Sequence, residues 1–255
     1  MSLEVLQNVE TAGRKFRELR RNGFSLGLVP TMGALHEGHL SLVRRAANEN
    51  DVVVVSVFVN PAQFDDPDDL KSYPQDFEAD RTLLESAGTN LVFYPDANAM
   101  YPDDYRYKVS ENSDSLLLEG SHRQGYFDGV LTVVLKLLNI AGADRAYFGE
   151  KDWQQFSLIR GMAEAFFIDT EIVPCPLVRE DDGLAMSSRN VRLTPAEREK
   201  APAFQRILAG PGTPESKAAE LERAGFHVDY VEERGDRILG AVHLGKVRLI
   251  DNVRI

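Results

Sequence analysis

The strongest constraint on the fold of this chain is an alternation running through its first two-thirds. Residues 25–29, 52–59, 91–94 and 145–148 are short, apolar and rich in β-branched or aromatic side chains, as in strands buried on both faces. Between them, residues 41–48, 76–87 and 129–140 place apolar side chains three and four apart, which is the spacing of a helix with one buried stripe. Gly88 and Gly142 stand where such helices stop. Strand, helix, strand in this rhythm predicts an α/β fold built on a doubly wound parallel sheet. Sheets of that kind bind ligands beyond the carboxyl ends of their strands, so function is to be read in the residues that follow each strand.

After about residue 178 the alternation stops, which predicts two domains, 1–177 and a smaller α+β domain at 178–255. The second opens on a charged helix with a legible start. Thr194 suits the N-cap, Pro195 the first helical position, and Glu197 completes a capping box. A Gly/Pro-rich joint at 209–214 follows, and residues 227–232 and 247–250 read as antiparallel strands.

Composition removes several classes of function. The 40 acidic against 29 basic side chains give a formal charge of −11, which repels a phosphate backbone and argues against nucleic acid as a partner. The longest apolar run, DVVVVSVFV, falls well short of the roughly 20 residues that cross a bilayer. The first residues hold no apolar segment of signal-peptide length. A cytoplasmic protein with no membrane partner is expected. The single cysteine, Cys175, allows no internal disulfide and has no basic neighbour in sequence to activate it.

Four strings carry chemistry. After the first strand comes Pro30-Thr31-Met32-Gly33-Ala34-Leu35-His36-Glu37-Gly38-His39, followed by a helix expected to begin near Leu40. Glycines at a strand-to-helix turn let backbone approach a ligand, the helix N-terminus offers N–H groups, and two imidazoles can donate to phosphate oxygens. The alternatives are a zinc pair, or one core and one surface histidine; the spacing is not that of HExxH, and no cysteine or third histidine follows nearby. Asn60 and Gln63 follow the second strand, at the same carboxyl edge, where they could bind hydroxyl or carboxylate groups of a small substrate; an Asn-Pro turn is the alternative. The fourth strand runs into Gly149-Glu150-Lys151-Asp152-Trp153-Gln154-Gln155, where the ammonium could neutralise a triphosphate or simply be solvated. Met186-Ser187-Ser188-Arg189 sets two hydroxyls and a guanidinium in a loop, a donor set suited to phosphate.

In this order and at these separations, PTMGALHEGHLSLV, SVFVNPAQF, FGEKDWQQF and DGLAMSSRN resemble the pantothenate synthetase (pantoate–β-alanine ligase) family, of the HIGH-containing nucleotidyl-transferring superfamily, and VRLIDNVRI resembles the family's ending. The resemblance covers nearly the whole chain. It implies a Rossmann-like first domain and a second that closes as a lid. It also implies an ATP-dependent acid–amine ligase of pantothenate (vitamin B5) and coenzyme A biosynthesis. Such an enzyme converts ATP and (R)-pantoate to pantoyl adenylate and pyrophosphate, then β-alanine displaces AMP. Magnesium accompanies the ATP, and a homodimer is expected. Residue by residue, Met32, Gly33, Ala34, Leu35, His36, Glu37, Gly38 and His39 match the ATP-binding turn, with His39 as proton donor and His36 beside the phosphates. Gln63 and Gln155 match the glutamines that hold pantoate, Gln63 also bordering the β-alanine site. Gly149, Glu150, Lys151 and Asp152 match ATP-binding positions, with Lys151 against the phosphates. Val178 touches the nucleotide and Met186, Ser187, Ser188 and Arg189 close over it. Asp80 falls near the magnesium, whose ligands are otherwise unassigned.

Two departures stand out. Where the family commonly has Arg-Pro-Gly-His-Phe before its central helix, this chain has Arg123-Gln124-Gly125-Tyr126-Phe127. The stretch between Val231 and Val242 is also shorter than the family's usual connection. The rival readings are another enzyme of the superfamily, either a tRNA synthetase fragment or a simple adenylyltransferase, and a nucleotide-binding regulator on an inherited ligase fold.

Overall fold

A computed structural model describes residues 3–65 and 67–255. The chain forms two compact units: residues 1–149 with 154–175, and residues 150–153 with 176–255.

The first unit holds a six-stranded parallel sheet of β1 (Glu4–Leu6), β2 (Leu26–Thr31), β3 (Val52–Val57), β4 (Leu91–Phe93), β5 (Arg145–Gly149) and β6 (Glu171–Cys175), in the order β1-β4-β3-β2-β5-β6. The doubly wound α/β class is therefore correct. Its centre follows from composition: β3 is Val-Val-Val-Val-Ser-Val and buried at every position, as a strand covered by helices on both faces must be. Val53, Val54 and Val55 are fully excluded from solvent. The two edge strands carry no such signal. β1 is three residues long and β6 contains Pro174, which an edge tolerates.

Boundaries shift where polar or proline residues join a strand. β2 runs on through Pro30 to Thr31, in register with Ser56 and Val57, whereas β3 ends at Val57, two residues short of the sequence expectation. The helix after β2 spans Glu37–Glu49 with His36 as N-cap, not a start near Leu40. The helix Tyr126–Ala141 ends as expected at Gly142, whose φ of 53° is the left-handed cap conformation. The helix Val9–Arg21, capped by Asn8, lies outside the sequence expectation; its only fully buried residues are Ala12, Gly13 and Phe16, too sparse a stripe to announce itself.

The second unit contains a three-stranded antiparallel sheet, β7 (His227–Arg234), β8 (Arg237–Leu244) and β9 (Val247–Arg254). The segment between Val231 and Val242, read as a shortened connection, holds the end of β7, a two-residue turn and the first half of β8, and a second two-residue turn leads from β8 to β9. Gly235 and Gly245 take φ values of 63° and 58° in those turns, a conformation tight hairpins need and glycine supplies. Phe204, Leu208, Leu221 and Phe226 pack the sheet's core. The capping box forms: Thr194 N–H donates to Glu197 at 2.8 Å and Glu197 N–H to the Thr194 hydroxyl at 3.4 Å. Among the described residues no helix is long and apolar enough to cross a membrane.

Tyr147, in β5, is completely buried; its hydroxyl donates to Glu49 at 2.8 Å and accepts from Asn50 at 2.7 Å. Burial, reinforced by the Glu49 carboxylate, pushes the phenol up to about 12. A folded value above the unfolded one gives stability that is complete below the unfolded value and lost as pH rises through the folded one. Between about pH 10 and 12 the unfolding free energy should therefore fall by on the order of 2 kcal/mol on account of this group. Urea titrations of Tyr147→Phe should show a shallower alkaline decline than the unsubstituted protein.

Candidate active site

At the carboxyl end of β2 the chain turns sharply. Gly33 has φ 80° and Ala34 φ 51°. One buried carboxylate holds this turn: Ala34 N–H donates to Asp80 Oδ2 at 2.9 Å and Leu35 N–H to Asp80 Oδ1 at 2.7 Å. A Cβ added at Gly33 would lie 2.8 Å from Asp80 Oδ2, so glycine is needed there both for its φ and for the closeness of the carboxylate. Asp80 is 4% exposed; burial pushes its carboxyl up while the two amide bonds pull it down.

The turn delivers His36 to the N-cap of the helix Glu37–Glu49 and His39 to its first turn. The rings lie 4.1 Å apart between centroids. His36 N–H donates to His39 Nδ1 at 3.4 Å, so in the neutral ring the proton sits on Nε2, which becomes the donating edge. Glu37 pairs with Arg44 on the helix surface, and the Gly38 carbonyl accepts from Ser41.

Beyond β3, Asn60 and Gln63 have different roles. Asn60 is 1% exposed, and its carboxamide is spent internally. Its Nδ2 donates to Gln63 Oε1 at 3.0 Å and to the Gly129 carbonyl at 3.1 Å, while its Oδ1 accepts from the Tyr101 hydroxyl at 2.7 Å. Asn60 thus holds Gln63 instead of facing a ligand itself. The Gln63 Nε2 reaches Met32 Sδ at 2.9 Å, which brings the end of β3 against the histidine turn. Gly129 makes this approach possible, since a Cβ there would sit 2.2 Å from the Ala62 carbonyl.

Gln154 and Gln155 also divide their work. Gln154 is buried, accepting from Glu119 N–H at 3.0 Å and donating to the carbonyls of Asp114 and Leu117 at 2.7 and 2.8 Å. Gln155 accepts from the Tyr126 hydroxyl at 3.0 Å.

Apart from Gly149, which closes the first unit's β5, the other sequence candidates fall in the second unit. Gly149 is the last residue of β5, and Glu150–Asp152 form a single 3₁₀ turn. Asn252 Nδ2 donates to the carbonyls of Glu150 and Lys151 at 2.8 and 3.0 Å, Arg237 pairs with Glu150 at 2.9 Å and its guanidinium stacks 3.9 Å from the Trp153 ring centroid. The Lys151 ammonium is 3.8 Å from Asp152. Next to Asn252, Asp251 is 4% exposed and is held by Arg179 at 2.6 and 2.9 Å. Burial pushes its carboxyl up against that pairing. The loop 179–190 closes on itself: Met186 N–H donates to Val178 O at 3.1 Å, Arg189 N–H to Ser187 Oγ at 3.2 Å, and Asn190 Nδ2 to Glu180 and the Ala185 carbonyl. Met186, Ser187, Ser188 and Arg189 are half-buried within it.

No group of three or more His, Cys, Asp or Glu suited to a metal exists among the described residues. The one carboxylate placed near magnesium by sequence, Asp80, has both oxygens bound to backbone amides. The residues therefore do not build a magnesium cage; a magnesium ion carried by ATP phosphates needs few protein ligands in any case.

A sharp glycine turn carrying two histidines into a helix at the end of a parallel strand, on a doubly wound sheet, defines an α/β class of protein. The model of the Pantoate-beta-alanine ligase family matches residues 4–254, and the chain belongs to that family of ligase enzymes. It is 56% identical to the pantothenate synthetase of Bdellovibrio bacteriovorus over 92% of this chain and 94% of that one. Identity to the Legionella pneumophila (strain Corby) pantothenate synthetase is 49%, over 93% and 94%. Among solved structures, the pantoate-beta-alanine ligase from Francisella tularensis, complexed with beta-gamma ATP and beta-alanine, has a TM-score of 0.94 at 39% identity, covering 99% of this chain and 97% of that one. Pantothenate synthetase from Thermus thermophilus has a TM-score of 0.89 at 39% identity, over 98% and 99%.

Asp80→Ala should strand two half-buried amides and lower stability by about 1–3 kcal/mol, read as a reduced urea midpoint. Asp80→Asn, which keeps one acceptor but turns an amide N–H₂ toward the other N–H, should give a midpoint between those of Asp80→Ala and the unsubstituted protein.

Proposed function

We propose that the chain condenses (R)-pantoate with β-alanine at the expense of ATP through a pantoyl adenylate, releasing pyrophosphate and then AMP. The observation that carries this reading is the histidine turn, held by Asp80, in which His39 Nδ1 accepts from the His36 backbone amide and leaves the neutral ring's proton on Nε2. The complex of the Francisella relative with beta-gamma ATP and beta-alanine supports ATP and β-alanine as two of these substrates.

The first step joins a weakly nucleophilic carboxylate to an α-phosphate that already carries charge, so positioning and charge neutralisation dominate over proton transfer. His39 donates from Nε2 to the phosphoryl oxygens as charge develops, and His36, the helix N-terminus and the glycines at 33 and 38 bind the nucleotide. Lys151, in the Gly149-Glu150-Lys151-Asp152 string, neutralises phosphate charge. Ser187, Ser188 and Arg189 add hydroxyls and a guanidinium, and Val178 and Met186 contact the nucleoside. Gln63 and Gln155 donate to the oxygens of pantoate. In the second step the amine of β-alanine attacks the mixed anhydride and AMP leaves; so activated an acyl group makes a strong general base less necessary. Magnesium enters on the ATP phosphates, and the enzyme works as a homodimer in the cytoplasm.

Pyrophosphate release with ATP and magnesium should require pantoate, and pantothenate with free AMP should follow only when β-alanine is added. Release independent of pantoate would exclude this reaction. In the same assay His39→Ala should slow pyrophosphate release by on the order of 10² to 10⁴ with an unchanged circular dichroism spectrum, and Lys151→Ala should act mainly on that half-reaction.

A further inference from the structure

The turn that departs from the family pattern builds a strap between the two glutamines. Gly125, with φ 77°, lets the chain reverse between Arg123 and Tyr126. The Arg123 guanidinium then lies 3.6 Å from the centroid of the Tyr126 ring. That guanidinium is itself fixed: Nε donates to Asp65 at 3.1 Å, Nη2 to the Gln63 carbonyl at 3.4 Å, and Nη1 lies 3.9 Å from Glu119. Tyr126 is 9% exposed, and its hydroxyl donates to Gln155 Oε1 at 3.0 Å. A continuous path therefore runs from the backbone of Gln63 through Arg123 and Tyr126 to the side chain of Gln155.

This path decides which end of Gln155 a ligand meets. A primary carboxamide offers one oxygen acceptor and two N–H donors, and it can rotate to present either. With one acceptor site of Oε1 taken by the phenol, which fixes the amide's orientation, both Nε2 donors are left for a substrate. They suit carboxylate and hydroxyl oxygens and reject amine or ammonium donors. An arginine stacked on the ring restrains the phenol at the cost of little further ordering.

We infer that Tyr126 is a positioning residue that presents Gln155 to the hydroxy acid as a hydrogen-bond donor, with Arg123 holding the phenol in place. The inference rests on the assignment of Gln155 to pantoate. Its test is a steady-state comparison of Tyr126→Phe, which keeps the ring and its stacking, with the unsubstituted protein. The KM for pantoate should rise roughly 3- to 10-fold, as for one lost hydrogen bond, while the KM for ATP and the thermal midpoint stay unchanged. In a Gln155→Ala background, adding Tyr126→Phe should raise the pantoate KM no further, because the two changes act through one contact. Arg123→Lys, which keeps the charge but loses the planar stack, should move the pantoate KM in the same direction. An unchanged pantoate KM in Tyr126→Phe, additive effects in the double variant, or a parallel shift in all KM values with a lower midpoint would overturn the inference while leaving the ligase reading intact. Absence of pantoate-dependent turnover in the unsubstituted protein would instead remove that reading, and the inference with it.

Discussion

Two hydrogen bonds to a buried carboxylate shape the turn of the first unit on which the two histidines sit. Asp80 lies within the helix Phe77–Ser86, which follows β3 in the chain, yet its oxygens go to the amides of Ala34 and Leu35 after β2. The left-handed turn at Gly33 and Ala34 is costly for the alanine and unattractive without those bonds. With them, the chain enters its helix at His36, and the two imidazoles fall into one turn. The burial that raises the Asp80 carboxyl is thus a cost borne to keep a loop in an otherwise sparsely used conformation.

The central sheet is legible in the sequence because its strands are buried on both faces and so carry continuous apolar residues. Val52–Val57 needs no partner information to be recognised. The edges are not, because Glu4–Leu6 and Glu171–Cys175 hold only a few apolar positions each and owe their pairing to the strand beside them. β8 escapes sequence reasoning for another reason. Its residues are buried at nearly every position, from Arg237, 3% exposed, through residues 238–242, so no alternation of apolar with polar residues marks its faces.

The site shows the same division. The candidate ligand-binding residues can be found as strings, since glycine, histidine and lysine after strands have few other reasons to cluster. The residues that hold them cannot. Asn60 looks in sequence like its neighbour Gln63, and Gln154 like Gln155, yet Asn60 and Gln154 spend their amides inside the protein. What each amide binds depends on the direction of its side chain, and direction is set by tertiary packing. Tyr126 differs again. The sequence marks it as a departure, but its partner Gln155 lies 29 positions away, so what the departure does becomes visible only once both are placed.

The lysine of the Glu-Lys-Asp string is anchored by residues made long after it. Asn252 holds the Glu150 carbonyl from 102 positions downstream, and Arg237 holds the Glu150 side chain from 87. At a synthesis rate of roughly 5–20 residues per second, a nascent chain spends several seconds with β5 complete and the turn beyond it without these partners. The first unit can acquire its sheet early, but Lys151 reaches its final setting only when the last hairpin has been made. The order of translation therefore keeps the lysine turn unfinished until the rest of the chain exists.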